Sequence, residues 1–170
     1  MPRHINTLAE LTSSYDAILC DVWGVLHNGI DPFPLAVQAL MDARTAGTSV
    51  VMITNSPRPS QGVISQFDII GVDRSAWDDI VTSGDVTRRL ISEGPKKLFY
   101  IGPDRDRELA EGLGVELVTE NEAEAVLCTG PFDDEVETPD DYADMLARFK
   151  TRNLPFLCAN PDQVVNVATG

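Results

Sequence analysis

The chain has 170 residues, 43% apolar and 24% charged, a balance that argues against disorder and fits one domain with a real core, or one small domain and part of another. Thirteen basic residues face 27 acidic ones, for a net charge of −14, and a field of that sign repels phosphate backbones, so nucleic acid is not an expected partner. No stretch approaches a membrane span, so no membrane partner is expected, and residues 1–12 lack an apolar secretion segment. The three cysteines, Cys20, Cys128 and Cys158, lie in or beside apolar runs without a C-x-x-C pair. They read as reduced thiols and point to a cytoplasmic protein. His4 and His27 stand alone, so no histidine-based metal site or triad is expected, and His27 reads as a loop residue facing water.

In chain order, Leu8 and Leu11 suggest a short first helix. Ala17 to Cys20 is an apolar run ending on Asp21, with Gly24 three residues later, which fits a strand buried on both faces. Trp23 to Phe33 reads as a loop, with Asn28-Gly29 as a turn and Pro32 and Pro34 barring a continued strand. Pro34 to Ala46 has helical length and ends at Gly47, and Ser49 to Ser56 is a second apolar strand ending in Thr54 and Asn55. Strand, helix and strand make one βαβ unit, which sets Asp21 and Thr54 side by side at one sheet edge. Ligands of an open parallel sheet sit at that edge. A carboxylate there can ligate a divalent cation or attack phosphorus, or it can merely cap a turn. After Pro57-Arg58-Pro59, residues 59–70 carry Val63, Ile64 and Phe67 at helical spacing. A helix start beside Thr54 favours an anion, whereas Arg58 reads as a solvent-facing loop residue.

Asp79 to Thr82 is a third strand, and Asp85 to Ser92 a helix stopped by Gly94-Pro95. Beyond Pro95, strands are expected at 96–101, 115–118, 125–129 and 154–159, with a helix over 105–112. The alternating Glu120, Glu122 and Glu124 read as a solvated loop. Thr138, Pro139, Asp140 and Asp141 read as N-cap, first position and dipole-matched acids of a helix carrying Tyr142, Met145, Leu146 and Phe149. Asn160-Pro161-Asp162 is a turn, and 163–170 shows no clear element.

Asp21-Val22-Trp23-Gly24-Val25, then Ile53-Thr54-Asn55, then Asn160-Pro161-Asp162 resemble the haloacid dehalogenase (HAD) superfamily, specifically its NagD-like class IIA branch. The resemblance runs over nearly the whole chain. It implies an α/β fold: a Rossmann-like parallel core, incomplete here, over residues 1–94, with an inserted α/β cap over 95–170. It implies Asp21 as nucleophile and Mg²⁺ ligand, the Trp23 carbonyl as a second ligand, and Thr54, Asn55 and the Gly24 N–H around the phosphoryl oxygens. Asn160 and Asp162 would lie near the leaving group. The implied substrate is a small phosphorylated or otherwise activated metabolite.

Two departures bear on activity. Trp23 stands where family phosphatases carry a second Asp that moves the leaving-group proton, and indole has no titratable group for that work. The family's third and fourth motifs, a Lys and an acidic pair, have no candidate within the 170 residues, so the chain looks like the front part of a longer protein. An Asp21 strand without its further neighbours becomes an exposed edge that invites pairing with a second copy of the chain. Besides the HAD-type hydrolase, two readings stand open: a non-catalytic binding or regulatory protein on the same fold, and a flavodoxin-like anion-binding module, for which no glycine-rich fingerprint appears.

Overall fold

The computed structural model describes residues 5–12, 14–133 and 135–162. His4 and the final stretch 163–170 lie outside them. The described residues fall into two compact units, one holding the residues up to 54 together with Ser60–Thr82, the other holding Asn55–Pro59 together with 83–162.

The first unit contains α1 (Ala9–Thr12), β1 (Ala17–Asp21), α2 (Pro34–Thr45), β2 (Ser49–Thr54), α3 (Ser60–Ile70) and β3 (Asp79–Thr82). Its sheet runs β1-β2-β3, all parallel, with Ala17 level with Ser49 and Thr54 level with Thr82. Both crossovers step the same way and share one hand, so α2 and α3 stack on a single face. Ile18, Cys20, Val50, Met52 and Ile80 point into that core, against Val37 and Leu40 of α2 and Val63 and Phe67 of α3. The other face stays open: Leu19 is 68% exposed, and Ile53 and Val81 are also exposed. Strand β1, expected to be buried on both faces, is therefore an edge strand covered on one. Asp78 ties the layers, accepting the Val50 N–H at 2.7 Å and the Arg44 Nε–H at 2.9 Å.

The second unit contains α4 (Ser83–Glu93), β4 (Lys97–Ile101), β5 (Glu116–Leu117), β6 (Ala125–Cys128), α5 (Ala143–Thr151) and β7 (Phe156–Cys158). The helix expected over 105–112 is instead a 3-10 segment, Asp104–Ala110. The sheet runs β5-β4-β6-β7, again all parallel. Here the strand order reverses direction, and both faces are covered. Ile91 of α4 and Leu109 pack with Leu98 and Leu127 on one side, and Phe149 of α5 packs with Ile101 and Val126 on the other. Helix α4 thus belongs with β4 through Ile91, although the sequence break lies after it at Pro95. Thr138 starts the turn Pro139–Tyr142 that leads into α5, its N–H and hydroxyl both donating to Asp141 Oδ2 at 2.8 and 2.9 Å. The glutamate run is more than a solvated loop. Glu120 takes two bonds from Arg148 of α5, at 2.5 and 2.9 Å, and Glu122 accepts from Thr119 Oγ1 at 2.6 Å. Among the described residues, no helix is long and apolar enough to cross a membrane.

Phe67 is the hub of the first core, in edge contact with Trp77 at 6.0 Å and with His27 at 5.8 Å. Phe67→Ala is expected to lower unfolding stability by about 3–5 kcal/mol, read from urea denaturation, as the cavity left by a buried ring is only partly refilled.

Candidate active site

Asp21 is the last residue of β1 and lies level with Ile53, while Thr54 is the next residue along β2 and lies level with Thr82. The three strand ends share one carboxyl-end rim, where an open parallel sheet presents its ligand site. Pleating then separates them. Asp21 falls on the open face with Leu19 and Ile53, and Thr54 and Thr82 fall on the packed face, where both are buried. The two strands are adjacent and parallel as expected, but alternation alone does not turn the carboxylate and the Thr54 hydroxyl to one side. Thr82 is a strand-end hydroxyl that the sequence reading did not single out; its register with Thr54 is the signal.

Asp21 is exposed, and its Oδ1 accepts the N–H of Val22 at 2.7 Å. Burial, and then the Asp21 charge, push the neighbouring Cys20 thiol above its ordinary value. The loop that follows is nailed down by its own side chains, with Val22 and Leu26 buried. The Leu26 N–H donates to Val22 O at 2.9 Å, the Gly24 N–H to His27 O at 2.8 Å, and the Phe33 N–H to Leu26 O at 2.8 Å. Asn28 Oδ1 holds the N–H groups of Ile30 and Asp31, at 2.9 and 2.7 Å, which builds the turn expected at Asn28-Gly29. Gly24 adopts φ +73°, a conformation side chains disfavour. Its N–H, assigned to phosphoryl oxygens by the resemblance, is already spent inside the loop.

Trp23 is 39% exposed and meets the His27 ring edge-on at 5.7 Å. His27 does not face water. It is 2% exposed, and its Nδ1 accepts the Gly29 N–H at 2.8 Å, which puts the neutral ring's proton on Nε2. The sequence gives little sign of this, because a single histidine in a polar loop carries no period. Burial lowers the His27 pKa from its ordinary 6.5. The unfolded chain therefore takes up a proton that the folded loop resists. Stability is at full strength above 6.5 and falls as pH drops through it. A thermal-melt series should show that slope in the native protein and lose most of it in His27→Gln.

Asn55 belongs with the second unit. Its side-chain amide donates to the Asp162 carboxylate and, at 3.3 Å, to Asn160 Oδ1. The structure thus joins three of the expected site residues, two of them on a turn 105 and 107 positions along the chain. Ser83 Oγ–H donates to Ala159 O at 2.5 Å, and the Gly84 N–H to Ser56 O at 3.0 Å, so the start of α4 holds both partners of that contact. Arg58 is exposed and its charge, with that of Arg105, acts on Asp106, whose carboxyl is nevertheless raised, chiefly by burial. A Cβ on Gly84 would lie 2.3 Å from Arg58 O, a backbone atom that cannot swing aside. Gly84→Ala is expected to cost about 1–3 kcal/mol in denaturant unfolding, as overpacking does. Gly130→Ala, where a Cβ meets nothing within 4 Å, serves as the unaffected control.

The family model for haloacid dehalogenase-like hydrolases matches residues 18–116. The chain belongs to that family. It is similar to a haloacid dehalogenase-like hydrolase from Brucella suis, with 54% identity and a TM-score of 0.90 over 95% of this chain and 62% of that one. It shares its fold with NagD of E. coli, at 23% identity and a TM-score of 0.62 over 90% of this chain and 60% of that one. It also shares its fold with the glycerol phosphate phosphatase Rv1692 of Mycobacterium tuberculosis, solved in complex with magnesium, at 20% identity and a TM-score of 0.65 over 92% and 48%. The chain thus spans less than two thirds of each. No curated protein matches it.

Proposed function

We propose that this chain carries the nucleophile of a phosphate-ester hydrolase of the haloacid dehalogenase type. The observation that supports this most is the strand-end position of Asp21, exposed at the carboxyl rim beside parallel β2 and its terminal Thr54. An exposed carboxylate there is open to in-line attack: Asp21 bonds to phosphorus, the ester oxygen leaves, and water then cleaves the aspartyl phosphate to regenerate Asp21 and phosphate. The resemblance assigns the phosphoryl oxygens to Thr54 and Asn55, although the Thr54 side chain lies on the packed face, away from Asp21. Residues 95–170 act as the cap, and the substrate is a small phosphorylated metabolite.

Among the described residues, no three His, Cys, Asp or Glu side chains gather as a metal site. The oxygen donors Asp21 and the Trp23 carbonyl fit Mg²⁺ as a partial set, since that ion commonly takes one or two carboxylates and fills its shell with water and substrate phosphate. Bound there, it would neutralise charge on the phosphoryl group. That matters in a chain of net charge −14, which repels anionic substrates at long range.

A second reading, a binding protein on the same fold, draws on Trp23. Its ring packs on His27 and supplies no proton to a leaving alkoxide. Turnover of 4-nitrophenyl phosphate with Mg²⁺ separates the two. Hydrolysis is expected to be slow in the native chain, abolished in Asp21→Asn, and raised by about 10²–10⁴-fold in Trp23→Asp, the usual worth of a positioned acid. Turnover unchanged in Asp21→Asn defeats the nucleophile assignment, and inertness of every form, in this chain and in one extended past Gly170, favours the binding protein.

A further inference from the structure

Cys128 ends β6, Cys158 ends β7, and the two are direct partners in the parallel register. Register partners project to the same face, and neighbouring strands lie about 4.8 Å apart. That spacing falls inside the Cα separation of about 4.4–6.8 Å that a disulfide spans. The Ala159 N–H donates to Cys128 O at 2.8 Å, so the strands stay paired just past the two cysteines. The thiols also lean the same way, Cys128 Sγ toward Gly130 O at 3.8 Å and Cys158 Sγ toward Asn160 O at 3.2 Å. Cys128 packs at the border of the Phe149 cluster, while Cys158, on the edge strand, is exposed. Burial, and then the Cys158 thiol, push Cys128 above its ordinary value, which leaves the exposed Cys158 as the first thiol a reagent meets.

We propose that Cys128 and Cys158 form a dithiol site that a peroxide closes to an intrachain disulfide. Cys158, as thiolate, attacks the peroxide oxygen and becomes a sulfenic acid, releasing hydroxide, which takes up the proton shed by the thiol. The Cys128 sulfur then attacks the sulfenic sulfur, forming the S–S bond as the second oxygen leaves as water. Two thiols and one hydrogen peroxide give one disulfide and two waters. The bond closes two residues before Asn160, which with Asp162 holds the Asn55 amide, so oxidation of the pair bears directly on that turn.

The test treats the native protein with hydrogen peroxide, alkylates it with iodoacetamide in guanidinium chloride so that every free thiol reacts, and reads intact mass and linked peptides. One alkylated cysteine is expected, Cys20, together with a peptide joining Cys128 to Cys158, against three alkylated cysteines after dithiothreitol. As a measurement independent of oxidation, phenylarsine oxide should bind the reduced native chain tighter than Cys158→Ser by roughly 100-fold or more, the gain from a second thiol in the same site. Cys158 lies on the surface, so this variant is expected to fold. Oxidation of Cys158 without linkage, linkage only between chains, or equal arsenical affinity in the two proteins overturns the proposal.

Discussion

The in-register parallel ladder from β1 through β2 to β3 is the constraint from which the rest of the first unit follows. It levels Thr54 with Thr82, puts Asp21 one step short of them, and brings all three strand ends to one rim. Because both crossovers advance in the same direction with the same hand, α2 and α3 must share a face. The apolar residues split accordingly, Val50 and Met52 inward, Leu19 and Ile53 outward. The second unit obeys the same rule with the opposite result. Its order reverses between β4 and β6, so the Asp104–Ala110 crossover and α5 fall on different faces, α4 packing on the first of them through Ile91, and β6 is buried almost throughout. A reversal of this kind opens a crevice beyond the strand ends. Here it is packed: a Cβ on Gly102 would meet Thr129 Oγ1 at 2.1 Å, and the Tyr100 hydroxyl donates to Pro103 O and bonds Thr129.

Much of this architecture was legible in the sequence, and for identifiable reasons. Pro34 and Gly47 bracket α2 because one suits a first helical turn and the other a left-handed end, and the apolar runs at 17–20 and 49–53 are too short for helices. Thr138, Pro139 and Asp141 announce the start of α5 through chemistry local to four residues. What the sequence hid depends on more distant partners. The one-sided burial of β1 follows from which way the crossovers step, which no periodicity records. The ion pair of Glu120 with Arg148 spans 28 positions, and nothing in a run of alternating glutamates marks which one is taken.

The candidate site shows the same division. Asp21 and Thr54 were legible as strand ends, because an apolar run that stops on a polar residue states its own terminus. The pleat that parts them was not, since it depends on register, and a slip of one residue inverts it. Asn55 was legible as a polar residue beside Thr54, but not as the partner of Asn160 and Asp162. His27 reads from the sequence as a water-facing loop residue, whereas its burial comes from Phe67 and Trp23, one forty positions away and the other out of a loop of its own making.

That last pairing has an optical consequence. The chain has two tryptophans, and they sit in unlike settings: Trp77 is buried beneath the Arg74 guanidinium, and Trp23 is half open with an imidazole at its edge. A protonated imidazole drains the excited state of a nearby indole far more than a neutral one does. The emission of Trp23 is therefore coupled to the charge on His27, and the loop that follows Asp21 carries a built-in fluorophore that senses its own acid–base state.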